Sequence, residues 1–72
     1  MAEYVMVSST AIAAVAYDEA TWALNVRLHS GAEYQYLGVP PDVYDGFFSA
    51  GSVGTYYNTA IKKAGYQYVQ IA

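Results

Sequence analysis

Residues Trp22 to His29 alternate in polarity: Trp22, Leu24, Val26 and Leu28 are apolar and fall on one side of an extended chain, while Asn25, Arg27 and His29 fall on the other. A period of two cannot keep an apolar face together on a helix, where the period is 3.6. The segment therefore reads as a strand with one face on a core and one face wet, the habit of an antiparallel sheet. The chain that must build this core has 72 residues and no cysteine, so it buries only about 60% of its unfolded surface and has no disulfide to help. Material for a core is ample. Hydrophobic residues make up 56% of the chain and charged residues 12%, against roughly 25% charged in an ordinary domain. That composition excludes a disordered chain, and the lack of cysteine excludes a disulfide scaffold. No apolar run approaches the ~18 residues of a membrane span. Met1-Ala2-Glu3 lacks the positive start of a secretory signal, which predicts a cytoplasmic domain. So few charges at a size with little interior predict a homo-oligomer, most simply a two-fold dimer.

On either side of that strand the chain divides readily. Met1 to Val7 reads as a frayed arm or an added edge strand, and Ile12 to Tyr17 as a strand weakened by its alanines. Asp18 to Thr21 makes a turn, Ser30-Gly31 a hairpin, and Ala32 to Leu37 a third strand. Pro40-Pro41-Asp42 opens a helix that runs to about Ala50, with Val43, Tyr44, Phe47 and Phe48 on one face and Gly46 weakening it. Gly51 ends that helix, and Ser52 caps a second one carrying Tyr56, Tyr57, Ala60, Ile61 and Ala64. Lys62 and Lys63 suit its C-terminal end, Gly65 breaks it, and Tyr66 to Ile71 alternates again as a fourth strand. The expected fold class is α+β: a small antiparallel sheet, made of a three-strand meander plus a C-terminal strand, with two helices packed on one face. Leu24, Val26 and Leu28 should then meet Phe47, Phe48, Tyr57 and Ile61.

The hairpin at Ser30-Gly31 decides where Tyr34 and Tyr36 point. A two-residue loop pairs Arg27 with Tyr34 and puts the rings on the wet face, beside Arg27, His29 and Asn25. A three-residue loop, His29-Ser30-Gly31, pairs Leu28 with Ala32, Val26 with Tyr34 and Leu24 with Tyr36, and sends the rings to the core side. A slip of one residue flips every side chain. Turn chemistry favours the longer loop, because a two-residue turn wants Asn-Gly or Asp-Gly while Ser-Gly suits a type I turn with glycine at positive φ.

An ordered series of short motifs runs through most of the chain: Val7-Ser8-Ser9; Ile12-Ala13-Ala14-Val15-Ala16-Tyr17-Asp18; Leu24, Val26 and Leu28 before Ser30-Gly31; Tyr34-Gln35-Tyr36 before Gly38-Val39-Pro40; and Ala50, Ser52, Gly54, Tyr56, Asn58 and Ile61. Over about residues 7 to 62 this series resembles the KTSC-domain family, small bacterial and phage proteins that also occur as a C-terminal appendage of some lysyl-tRNA synthetases. The family's hallmark Tyr-x-Tyr is matched by Tyr34 and Tyr36. Ala16 stands where the family commonly has glycine, and residues 64–72 form an extension past the usual end. The resemblance implies a single small α+β domain over 1–72, no catalytic residues and, through the synthetase context, RNA binding.

The residues themselves narrow the chemistry. The chain has six acids, three bases (Arg27, Lys62 and Lys63) and a formal net charge of −3. Binding to duplex DNA, which calls for a basic stripe, is not expected. His29 is the only histidine, so neither a metal site nor a nucleophile–base pair is expected, and no cofactor is implied. The unusual feature is nine tyrosines. Their flat rings suit base stacking and protein interfaces alike. Residues Ala50 to Thr55 make a small-residue loop into a helix start, which suits an anion, or simply a helix stop, a cap and close packing. The candidate ligand set is Tyr34, Tyr36 and Tyr56 for stacking, with Arg27, Ser52, Gly54, Asn58 and Lys62 for polar and phosphate contact; Tyr57 is a further stacking ring. The expected function is a non-catalytic module for a nucleotide or short RNA, and the alternative is a homo-oligomeric structural or protein-interaction module. Tyr34-Gln35-Tyr36 and Tyr66-Gln67-Tyr68 repeat one triplet, read as chance or as two similar edge patterns.

Overall fold

The computed structural model describes residues 3–72. Five strands form one antiparallel sheet in the order of the chain: β1 (Val5–Met6), β2 (Ile12–Asp18), β3 (Ala23–Leu28), β4 (Glu33–Tyr36) and β5 (Tyr68–Gln70). Helix α1 (Pro41–Ser49) and helix α2 (Val53–Tyr56, continuing as a π-turn over Tyr57–Lys62) lie between β4 and β5. This is the expected α+β class, with the N-terminal arm resolved as an edge strand on β2. Met1 and Ala2, the start of that arm, lie outside the described residues.

One irregularity in β2 sets the core. The register slips between Ile12 and Ala14, an extra residue of the kind a β-bulge inserts. Strict alternation would have put Ile12 and Val15 on opposite faces. The bulge lets both reach the helix-covered face, where each is fully buried with Leu24, Val26, Val39, Phe47 and Ile61. Ala14 and Ala16 are fully buried on the other face, in register with Arg27 and Asn25.

The hairpin between β3 and β4 takes the longer loop. Leu28 N–H donates to the Ala32 carbonyl at 2.8 Å, Gly31 N–H donates to Leu28 at 3.0 Å, and Gly31 stands at φ 98°. The register is Leu24 with Tyr36 and Val26 with Tyr34, so both tyrosines point to the helix-covered side.

Two expectations about the core need correction. Trp22 does not continue the apolar face of β3. It closes the β2–β3 turn at φ 59°, its indole is exposed, and its carbonyl accepts from Val39 N–H at 2.9 Å. Alternation extended one residue too far, into a position where turn geometry wins. Phe48 is not in the core either. Phe47 is 1% exposed and Phe48 52% exposed, because successive residues on a helix are turned by about 100° and Phe47 takes the inward direction. The Phe48 ring instead meets Tyr44 edge-on at 5.2 Å.

Gly46 has a packing role beyond its low helix propensity. The Tyr56 phenol fills the space a Cβ would occupy there, and its hydroxyl donates to the Val43 carbonyl at 2.6 Å, tying α2 to α1. Ser52 caps α2 as expected, its Oγ accepting from Thr55 N–H at 3.3 Å.

Candidate ligand cleft

The face of β4 that carries Tyr34 and Tyr36 meets two other elements. β5 pairs with β4 so that Tyr68 lies opposite Tyr36 and Gln70 opposite Tyr34. Of the second Tyr-Gln-Tyr triplet only its last residue, Tyr68, lies on β5, so the two triplets meet at Tyr36 and Tyr68 alone. Tyr68 packs tilted against Tyr36 at 5.3 Å and edge-on to Tyr34 at 5.8 Å. From the helical side Tyr57 meets Tyr36 edge-on at 6.0 Å, and the two hydroxyls are hydrogen-bonded at 2.6 Å.

The π-turn supplies the cation. In an unbroken α-helix Lys62 would sit about 140° around the axis from Tyr57, five residues earlier. Here Lys63 N–H bonds to the Asn58 carbonyl at 3.0 Å, an i→i+5 bond. The widened turn brings Lys62 Nζ to 5.9 Å from the Tyr57 ring centre, within cation–π range. Single π-turns of this kind often mark functional positions.

Between these elements lies a cleft of about 300 Å³ lined by Leu28, Tyr34, Tyr36, Tyr57, Lys62 and Tyr68. Its volume is at the small end of ligand pockets. Tyr36 and Tyr57 are almost fully buried at its floor, and Tyr68 is exposed at its rim. Burial pushes the Tyr57 phenol far above its ordinary 10.0, helped by the Tyr36 hydroxyl, and burial raises Tyr36 also. Both phenols are therefore neutral donors at any ordinary pH. No carboxylate of the described residues pairs with Lys62.

The candidate residues divide among several places. Tyr34, Tyr36 and Lys62 come together in the cleft. Arg27 does not join them, because the hairpin register puts it on the opposite face. There its Nε donates to Glu33 at 2.7 Å and its guanidinium covers the Tyr4 ring at 4.1 Å, while the Tyr4 hydroxyl donates to the second Glu33 oxygen at 2.9 Å. Arg27 and Tyr4 together hold the Glu33 carboxyl below its ordinary range. Ser52 and Gly54 line a separate shallow recess with Ser8, Ser9 and Thr10, a helix length away from Lys62. Tyr56 is spent on the contact with Gly46 and Val43, and the Asn58 side chain is exposed outside the cleft. His29 is a turn residue whose Nε2 lies 2.8 Å from the Ser9 carbonyl.

The KTSC domain model matches residues 8–70, nearly the whole chain and β5 with it. The chain belongs to the KTSC domain family. Two relatives bear this out in sequence. A protein of Tsukamurella paurometabola is 43% identical over 56 residues, covering 78% of this chain and 84% of its own, and a protein of Stutzerimonas stutzeri is 34% identical over 67 residues, covering 93% and 94%. The crystal structure of a KTSC domain protein from Yersinia pestis superposes with a TM-score of 0.93 at 30% identity, covering both chains completely. In this KTSC domain the Tyr-x-Tyr of β4 forms one wall and the floor of the cleft. Sequence reasoning missed the rim residue Tyr68 and the apolar Leu28. The repeated triplet was the signal for the first, and no local signal marked the second.

Proposed function

We propose that the protein is a non-catalytic binding module whose ligand is a nucleotide or a short single-stranded nucleic acid held in the tyrosine cleft. The observation that carries this reading is the meeting of four tyrosine rings with Lys62 around one recess. Stacking on an aromatic ring contributes about 1–3 kcal/mol per base without regard to sequence, and Lys62 offers charge to a phosphate. A single nearby cation suits one or a few nucleotides, since long nucleic acids are held by many phosphate contacts. The loop from Ser52 to Thr55 enters this reading only as a second contact for a longer strand, because it lies on the order of 14 Å along the helix from Lys62. The non-catalytic part of the reading is supported by His29, whose Nε2 is engaged at a turn by the backbone carbonyl of Ser9. The same reading puts the module in the cytoplasm; no helix among the described residues is long and apolar enough to cross a membrane. Titration with nucleoside monophosphates and short oligoribonucleotides should give saturable tyrosine quenching in the micromolar range. No change up to high micromolar ligand overturns the reading.

A second reading, a homo-oligomeric bacterial or phage structural module, is favoured by the two sheet edges. Met6 on β1 and Tyr68 and Val69 on β5 are exposed, as is the nearby Ile71, and residues 66–72 contain no charge to guard the edge. Light scattering tests it: a dimer is expected, deletion of 66–72 should shift it to monomer or aggregate, and a monomeric parent at high micromolar concentration ends it.

A further inference from the structure

The floor of the cleft has a hydrogen to give. Tyr36 and Tyr57 each bring one O–H, and their oxygens are 2.6 Å apart. Whichever phenol donates within the pair, the other keeps its hydrogen. Among the described residues neither hydroxyl has a further partner. Both residues line the recess that Lys62 borders, so the spare O–H lies where a ligand would enter. We propose that the Tyr36–Tyr57 hydroxyl pair is a donor that selects ligands whose ring edge presents a hydrogen-bond acceptor to the cleft floor while their anionic group meets Lys62. This rests on the nucleotide reading above and adds which part of the ligand the pocket reads. An apolar ring of the same size would displace water from the donor and return nothing, and sites built to hydrogen-bond a substrate reject analogues lacking the partner far more strongly than they reject a missing methylene.

Two probes of equal charge, each with a six-membered ring, separate the possibilities: uridine 5′-monophosphate, whose ring carries two carbonyl acceptors, and the 5′-monophosphate of the phenyl riboside, whose ring carries none. The parent protein should bind the uridine probe about tenfold or more tightly than the phenyl one. The preference should fall to within about threefold in the double variant Tyr36→Phe/Tyr57→Phe, which removes the donor and keeps both rings. Each single variant leaves one hydroxyl with its hydrogen free for the ligand, so Tyr36→Phe and Tyr57→Phe alone should keep most of the preference. Should the double variant not fold, a third probe decides on the parent: the 5′-monophosphate of a pyridyl riboside, a phenyl-sized ring with one nitrogen acceptor, should bind more tightly than the phenyl probe, and equal binding of those two overturns the inference. Equal binding of the two probes to the parent overturns this inference and leaves the nucleotide reading standing. A preference that survives in the folded double variant also overturns it. Binding of neither probe overturns both.

Discussion

Each face of the sheet sets a tyrosine ring beside a cation, yet the two arrangements are chemically opposite. On the open face the Arg27 guanidinium lies 4.1 Å over the Tyr4 ring, and Glu33 accepts from both. Charge, ring and hydroxyl of this set are all satisfied within the chain, although the neighbouring Asn25 Oδ1 is buried without a partner. On the helix-covered face Lys62 stands beside Tyr57 with no carboxylate partner among the described residues, over a hydroxyl pair with a hydrogen unspent. The difference is one acid. Where a carboxylate completes the set, tyrosine and cation close up as structure. Where it is missing, the same groups form a recess with unsatisfied chemistry.

The sharpest way to break this comparison is to remove what holds the covered face together. Phe47→Ala should cost about 3–5 kcal/mol, most of what so small a domain has, and leave the protein largely unfolded by circular dichroism. Its neighbour Phe48, half out in solvent, should change stability on truncation by within about 0.5 kcal/mol. Equal thermal midpoints for the two variants would show that the helix face is drawn wrongly.

Within the folded protein, the rim ring comes next. Tyr68→Ala should weaken nucleotide binding about tenfold through lost stacking with little change in the melting curve, since the ring is largely exposed. Lys62→Gln should weaken it less, and the deficit should shrink as salt rises. Arg27→Gln should leave binding unchanged. A loss of affinity in Arg27→Gln as large as that in Lys62→Gln would erase the distinction between the faces.

The two faces should also answer to opposite ends of the pH scale. Glu33 has its carboxyl lowered by Arg27 and Tyr4, so its contribution is present above the ordinary value of 4.5 and is lost as pH falls through the folded value. Glu33→Gln should flatten the acid limb of a stability–pH curve. Tyr57 is raised from 10.0 by burial, so the unfolded chain ionises first and stability falls as pH rises past that value. Tyr57→Phe should flatten the alkaline limb. Unchanged limbs in either variant would mean that the group does not titrate with folding.

The smallest expected effect is at Gly54. A Cβ there would meet Ser9 Oγ at 3.6 Å, an ordinary contact. Gly54→Asp should therefore fold, and because the position lies outside the tyrosine cleft it should bind a mononucleotide like the parent. Abolished binding would move the anion contact to the Ser52 loop.

Several elements of this molecule are local and were legible as such. The alternation of Leu24, Val26 and Leu28, the Ser52 cap, the proline opening of α1 and the loop His29-Ser30-Gly31 each rest on interactions within a few residues. That is why the α+β class follows from the chain, and why turn chemistry favours the core-side facing of Tyr34 and Tyr36 that the register then fixes. Phe48 and Trp22 went the other way for the same reason: a face drawn by period says nothing about which residue at its edge finds room.

What only the tertiary structure decided are the contacts between distant segments. The β2 bulge that brings Ile12 and Val15 to one core, the acid that claims Arg27, and the pairing of Tyr36 with Tyr68 across 32 residues depend on where other strands lie. The π-turn that swings Lys62 toward Tyr57 depends on how α2 packs, because no residue in Tyr57–Lys62 demands a widened turn by itself. Local propensities choose the elements. Burial and charge pairing between elements choose which tyrosines are spent on structure and which are left to bind.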